Sequence, residues 1–143
     1  MSKQVYFNDV EAGSGIPALV KNPTTRQLVR WAGASGDFNE IHYDQDFARS
    51  TGLPGVIIHG RLKAAFLGQL MTNWAGAEGQ LKKFSCSYKS MDAPGSSLTC
   101  KGKVARKYEK DGQGLVDCEI WIENAKGEKT TDGKATVMLP FRK

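Results

Sequence analysis

The sequence has no long hydrophobic run and no secretory pattern, and both absences narrow its possible functions. No segment of the 143 residues approaches the ~20 consecutive apolar residues of a transmembrane helix, so we expect no membrane association. The first nine residues lack a basic stretch followed by an apolar one, which predicts no signal peptide. We therefore expect a cytoplasmic protein.

Cysteine is scarce, and its spacing argues against a metal site. Cys86, Cys100 and Cys118 are widely separated and include no C-x-x-C pair. Structural zinc sites normally need such close pairs, and only His42 and His59 are available as further imidazole ligands. We predict no metal and interpret the cysteines as small buried side chains in a reducing compartment.

The chain also lacks a basic stripe, although its formal net charge is +5. This charge favours an anionic partner, for which nucleic acid and a phosphorylated ligand are both candidates. Lys and Arg residues are scattered, and no nucleic-acid-binding motif is present, so the charge alone does not choose. Glycine, by contrast, is abundant at 16 residues, which indicates a turn-rich fold or a close approach to the backbone.

The length predicts one domain, residues 1–143, in which helices come first and strands follow after residues 76–79. Helix signals start at Asn22-Pro23-Thr24 and stop at Gly36, and a short second helix is predicted from Asp44 to Gly52. A third helix, Arg61 to Trp74, is apolar on nearly every side. We therefore expect it to be buried on nearly every side.

Alternating apolar and polar residues predict strands in the second half of the chain. The apolar faces of the first three strands are Phe84, Cys86 and Tyr88; Leu98, Cys100 and Val104; and Val116, Cys118, Ile120 and Ile122. A hairpin turn at Asn124–Gly127 leads to a last strand, Lys134 to Leu139, and we expect another strand around Gln4–Phe7. The predicted fold class is α+β, an antiparallel sheet wrapped around one central buried helix.

Polar residues cluster between the first two predicted helices, in the segment Ser35-Gly36-Asp37-Phe38-Asn39-Glu40-Ile41-His42. Asp37 and His42 would point apart on a continuous helix, but Gly36 and Asn39 indicate an irregular turn where both side chains can converge. A carboxylate and an imidazole placed together form a general acid–base pair. Ordinary turn chemistry, with a histidine that satisfies buried backbone groups, is the alternative interpretation.

His59-Gly60 stands at the entry to the third predicted helix. The first N–H groups of a helix have no internal partner and carry the positive end of its dipole, so they can stabilise an oxyanion. Glycine lets a ligand approach that backbone closely. A glycine needed only for a sharp bend into the helix is the competing interpretation.

These segments resemble the MaoC-like (R)-specific enoyl-CoA hydratases. Trp31 to His42, with Asp44 and Ala48, is similar to the family pattern aromatic-x-x-x-S-G-D-x-N-P-aliphatic-H-x5-A. Gly52 through Ile58-His59-Gly60 is similar to the downstream G-x(n)-I-x-H-G element, and the order of elements matches the family's hot-dog fold. The resemblance implies a hydratase or dehydratase acting between trans-2-enoyl and (3R)-3-hydroxyacyl thioesters.

The resemblance also implies the following roles: Asp37 and His42 as the catalytic pair, Asn39 orienting the water or the pair, Ser35 supporting the turn, the Gly60 N–H binding the thioester oxygen, and His59 shaping the loop. It implies no cofactor beyond coenzyme A or an acyl-carrier phosphopantetheine, each as part of the substrate. The expected partner is then a small acyl thioester and not nucleic acid. A homodimer or higher homo-oligomer is expected, and a heterodimer is possible.

Two positions depart from the family pattern. Glu40 stands where proline is common, and Arg61 stands where methionine is common, at a helix entry whose dipole opposes a cation. We expect either that the two charges compensate one another or that Arg61 contacts an acidic acyl group or a coenzyme A phosphate. A thioesterase and a substrate-binding subunit of a heterodimeric dehydratase are the alternative functions.

Overall fold

The computed structural model describes residues 3–143. Its three helices and the four strands after them appear in the predicted order, but a further strand precedes the first helix. The helices are α1 (Thr25–Ser35), α2 (Gln45–Ser50) and α3 (Gly60–Ala75). The strands are β1 (Gly15–Lys21), β2 (Gln80–Tyr88), β3 (Leu98–Lys110), β4 (Gln113–Glu123) and β5 (Lys129–Leu139). Two 3-10 turns, Phe7–Asp9 and Glu40–His42, complete the described elements.

Capping side chains mark the starts of the first two helices, within or at the predicted start signals. The Thr24 hydroxyl accepts a hydrogen bond from the Gln27 N–H and so caps α1, which ends at Gly36 with φ 78°. Asp44 caps α2 in the same way by accepting from the Phe47 N–H. No helix within residues 3–143 is both long and apolar enough to cross a membrane.

The five strands form one antiparallel sheet in the order β1-β3-β4-β5-β2. The hairpin between β4 and β5 turns at Asn124–Gly127, as predicted. The hairpin between β3 and β4 turns at Asp111 and Gly112, which both have positive φ. Asp-Gly is a favoured pair for a two-residue hairpin, so the sequence contains a local signal for this turn.

The inner face of the sheet wraps around α3, which confirms the predicted α+β fold and its hot-dog arrangement. The buried residues of α3 are Leu62, Lys63, Phe66, Leu67, Leu70, Met71 and Ala75. Its opposite side is open along Arg61, Ala65 and Gln69. The expectation that this helix is buried on nearly every side is therefore wrong, because the sheet covers one side of it.

The strand expected around Gln4–Phe7 is also wrong. The chain is irregular before Phe7, which begins a 3-10 turn, donates its N–H to the Pro140 carbonyl at 2.9 Å and buries its ring. The strand that pairs with β3 at this edge of the sheet is β1, which begins at Gly15. The strand around Gln4–Phe7 was predicted from its apolar side chains alone. Such side chains can bury an irregular turn as well as a strand.

The strand around Phe84, Cys86 and Tyr88 forms as predicted, but its apolar face is less buried than expected. Phe84 is 36% exposed and Tyr88 49% exposed, and Cys86 is partly buried. The reason is that β2 is an edge strand, which pairs with β5 on one side only.

Two of the three cysteines, Cys100 and Cys118, are buried as predicted, and none of the three forms a disulfide. Burial raises the pKa of each of these two thiols to about 12.

Candidate active site

Three short-range hydrogen bonds build the turn between α1 and α2. The Ser35 hydroxyl accepts from the Asp37 N–H at 3.2 Å, and Asp37 Oδ1 accepts from the Asn39 N–H at 3.3 Å. Asn39 Oδ1 then accepts from the Ile41 N–H at 3.2 Å and so caps the 3-10 turn that presents His42. Short polar side chains that satisfy the backbone in this way explain why the helix does not continue.

The turn brings Asp37 and His42 together. Asp37 Oδ2 lies 3.8 Å from His42 Nε2, a distance too long for a direct hydrogen bond and one that a water molecule can bridge. His42 Nδ1 lies 2.8 Å from the Ile57 carbonyl, which can only accept, so Nδ1 carries the hydrogen of the neutral ring. The lone pair of Nε2 is therefore available beside the carboxylate.

The two groups of this pair differ in their exposure to solvent. The His42 side chain is 9% exposed and the Asp37 side chain 43% exposed. The imidazole is thus fixed inside the protein, whereas the carboxylate is partly exposed to solvent. A ligand that enters from solvent meets the carboxylate and the free ring nitrogen together.

The segment that precedes α3 is bound to this turn and to the loop after β2. The Ile57 N–H donates to the Ile41 carbonyl at 3.1 Å, and the Ile58 N–H donates to the Asp92 carbonyl at 2.8 Å. These bonds place His59 and the start of α3 directly behind the Asp37–His42 pair.

His59 is fully buried and stacks on His42, with ring centroids 3.7 Å apart and planes inclined by 20°. Its Nε2 lies 3.3 Å from the Asp37 carbonyl, and its Nδ1 is buried with no hydrogen-bond partner among residues 3–143. Burial, followed by the neighbouring His42, lowers the pKa of His59 below its ordinary value. The sequence had suggested only that His59 shapes the loop.

Asp37, His42 and His59 each offer a ligand atom within 4.8 Å of the others, which invites comparison with a metal site. However, two nearly parallel imidazoles direct their lone pairs in separate planes, and such pairs do not converge on one ion. His42 Nδ1 and His59 Nε2 are also engaged with backbone carbonyls. The arrangement suits proton transfer better than metal ligation.

Two backbone N–H groups at the start of α3 are free to donate to a ligand. The N–H groups of Gly60 and Arg61 have no hydrogen-bond partner within residues 3–143. The Tyr88 ring packs over Gly60 so closely that a Cβ at that position would lie 3.1 Å from the ring carbons. An alanine at this position would require the Tyr88 ring to shift by a few tenths of an ångström, a contact that sequence reasoning did not identify.

The two charges that depart from the family pattern do not compensate one another. Glu40 and Arg61 are both exposed, and no ion pair joins them among the described residues. The Arg61 charge acts on Tyr88 instead: burial raises the pKa of Tyr88, and Arg61 partly opposes that rise.

A buried ion pair lies behind the start of α3. Lys63 is 2% exposed, and its Nζ lies 3.1 Å from Asp92 Oδ2 and 2.9 Å from the Ser90 carbonyl. The Thr130 hydroxyl donates to the same Asp92 oxygen at 2.6 Å. Sequence reasoning missed this cluster, although a lysine within an apolar helix was a visible signal that an acidic partner would be needed.

Comparison with known proteins identifies the family to which the chain is similar. Residues 14–125 match the family described as MaoC like domain. An (R)-specific enoyl-CoA hydratase from Rhodospirillum rubrum is 28% identical over 96% of this chain and 93% of its own length. A fatty acid synthase subunit beta from Aspergillus oryzae is 38% identical over 75% of this chain, which spans only 5% of that protein.

A solved structure has the same fold. R-hydratase PhaJ1 from Pseudomonas aeruginosa, in the unliganded form, superimposes with a TM-score of 0.88 at 24% identity. The superposition covers 97% of this chain and 88% of that one. Since the family match includes the polar turn, the start of α3 and the first four strands, this chain belongs to the family of MaoC-like domain proteins.

Proposed function

We propose that this protein is a hydro-lyase that adds water to trans-2-enoyl thioesters or removes it from (3R)-3-hydroxyacyl thioesters. The observation that carries the proposal is the carboxylate of Asp37 facing the free Nε2 of His42 across 3.8 Å. The similarity to a hydratase of nearly the same length supports the substrate class and the (3R) configuration.

Asp37 and His42 hold the water and move its protons. His42 Nε2 accepts a proton from the water as the resulting hydroxide adds to C3 of the enoyl group. The electron pair of the C2=C3 bond moves toward the thioester oxygen. Because Asp37 and His42 are too far apart for direct transfer, a water between them relays the proton to Asp37, which delivers a proton to C2 and leaves the pair as it began.

The start of α3 stabilises the charge that develops on the thioester oxygen. The unpartnered N–H of Gly60 is the donor, with that of Arg61 beside it, and both stand at the positive end of the helix dipole. Removing one such donor in other enzymes costs on the order of 10²–10³-fold in kcat. Ser35 and Asn39 act through the turn, since both accept from its backbone N–H groups.

The thioester carrier is coenzyme A or the phosphopantetheine of an acyl carrier protein, and neither requires a further cofactor. The net charge of +5 supports a phosphate-bearing substrate, and the exposed Arg61 beside Gly60, which forms no ion pair among residues 3–143, is a candidate contact for an acidic acyl group or a phosphate. The three free cysteines support a cytoplasmic location, where thiols stay reduced.

We further propose that the functional unit is a dimer formed across β2. This edge strand presents Phe84 and Tyr88 to solvent, and Tyr88 also packs on Gly60. The other edge strand, β1, contains Pro17 and an irregular register between Ile16 and Leu19, features that discourage further pairing. A partner across β2 would therefore stand beside the site, and a related second subunit could take the same place.

A single assay tests the proposed reaction. The purified protein should convert crotonyl-CoA to the 3-hydroxybutyryl thioester, and chiral analysis of the product should show the (3R) isomer. Release of free coenzyme A without hydration would contradict the proposal and identify a thioesterase. Inactivity of this chain alone, with activity restored by a second subunit, would identify it as part of a heterodimer.

A further inference from the structure

His59 contacts both members of the proposed catalytic pair, Asp37 and His42. It lies at the N-terminal boundary of α3, but its side chain makes no capping hydrogen bond to that helix. The ring turns instead toward the polar turn, where it contacts both the Asp37 backbone and the face of His42.

The hydrogen-bond partner identifies the proton position on His59. The Asp37 carbonyl can only accept, so Nε2 of the neutral His59 ring carries the hydrogen, and the buried Nδ1 is left as an acceptor without a partner. An unpartnered buried acceptor is costly, and a phenylalanine of similar shape would avoid that cost. Phenylalanine, however, has no N–H to donate to Asp37.

We propose that His59 is a positioning residue for the Asp37–His42 pair, a role that rests on the proposed function only in calling that pair catalytic. Its Nε2–H fixes the backbone of Asp37, and its neutral ring supports the face of His42. The two rings therefore carry their hydrogens on opposite nitrogens, Nδ1 in His42 and Nε2 in His59.

A neutral His59 ring beside His42 also favours proton transfer to His42. When His42 accepts a proton from water, the positive charge forms against the π-face of His59, which attracts a cation. The titratable groups that act on His59 are His42 and Asp37, and burial lowers the pKa of His59, which favours its neutral form. A second cation at 3.7 Å would instead repel the imidazolium.

The chain contains only two histidines, so ring-nitrogen NMR of histidine-labelled protein reports on both residues separately. In the wild type the spectra should place the ring hydrogen on Nδ1 of His42 and on Nε2 of His59. His59→Phe keeps a ring without the donor, and His59→Gln keeps a donor without the ring. Each variant should shift the His42 nitrogen resonances, whereas Cys100→Ala, which trims a buried side chain of β3, should not.

Kinetics on crotonyl-CoA give the second readout. Each His59 variant should lose on the order of 10-fold or more in kcat with little change in KM, because misplacing a catalytic group affects the chemical step. Unchanged His42 resonances in both folded variants, or a charged or Nδ1–H His59 in the wild type, would overturn the proposal. If the wild type has no activity, the proposed function fails, and the resonances alone still decide the role of His59.

Discussion

At the scale of single residues, the absence of a side chain at Gly60 leaves room for the Tyr88 ring as well as for a bound thioester. Gly60→Ala keeps the amide N–H but places a Cβ 3.1 Å from the Tyr88 ring, which must then move. We expect kcat/KM to fall by about 10- to 100-fold, since small displacements at a site are expensive. Steady-state kinetics on crotonyl-CoA measure the loss.

The matched control for this change is Gly33→Ala in α1, where an added Cβ meets no atom within 4 Å. It should leave activity unchanged. Tyr88→Ala tests whether the Tyr88 ring causes the loss. The double variant Gly60→Ala/Tyr88→Ala should lose less kcat/KM than the losses of the two single variants combined. Strict additivity would show that Tyr88 does not transmit the effect.

His59 also makes stability depend on pH in a defined direction. Burial lowers the pKa of this histidine below the ordinary 6.5, so the unfolded chain binds more protons than the native protein as the pH falls. The free energy of unfolding should therefore decrease as the pH falls below about 6.5 and be fully recovered above it. His59→Gln should have a flatter profile in denaturant titrations between pH 5 and 7.5. Parallel profiles for the two proteins would contradict the assignment.

The sequence could predict which residues of the polar turn converge, because Gly36, Asp37 and Asn39 favour a turn through local hydrogen bonds. It could not predict the stacking of His59 on His42 or the packing of Tyr88 on Gly60. Those contacts join positions that are 17 and 28 residues apart, and only the wrapped sheet brings them together.

At the scale of elements, the Lys63–Asp92 pair fastens α3 to the loop after β2 and to Thr130 of β5. Lys63→Met would leave the Asp92 carboxylate buried without its cation. We expect this to cost about 3–5 kcal/mol of unfolding free energy, as for other broken buried pairs. Chemical denaturation measures the change.

The exposed pair Lys103–Glu119 provides the comparison, with both side chains 52% exposed. Lys103→Met should cost at most about 1 kcal/mol, because solvent already screens that pair. Adding Asp92→Leu to Lys63→Met should recover part of the loss by removing the orphaned charge. Equal costs for the buried and exposed pairs would show that Lys63 is not structurally important.

The elements themselves were largely predictable, since capping residues and periodicity are local signals. Thr24 and Asp44 fixed the helix starts, and alternation fixed strands β3 and β4. Burial was less predictable, because the exposure of Phe84 depends on the position of β2 at the sheet edge. That position follows from strand order, which a single strand's pattern does not encode.

At the scale of the whole molecule, the exposed face of β2 is where we expect a second copy. Phe84→Lys should convert the dimer to a monomer, because a buried unpaired charge would stand at the interface. Val20→Lys on the opposite edge, β1, is the control, since Val20 is also exposed at 54%. Light scattering coupled to size-exclusion chromatography distinguishes the two states. A wild type that is monomeric, or a Phe84→Lys dimer, would contradict the proposed interface.

Asp37 and His42 are proposed to act together on one water, and this pairing is central to the proposed reaction. Asp37→Asn preserves the oxygen that accepts from the Asn39 N–H, so the turn should remain, while the group loses its capacity to carry a proton. Asp46→Asn, an exposed change in α2, is its matched control.

The decisive measurement is kcat for crotonyl-CoA hydration by these two variants, with folding checked by circular dichroism. We predict a loss of about 10²- to 10⁴-fold for Asp37→Asn and none for Asp46→Asn. A folded Asp37→Asn protein that hydrates crotonyl-CoA at the wild-type rate would contradict the account.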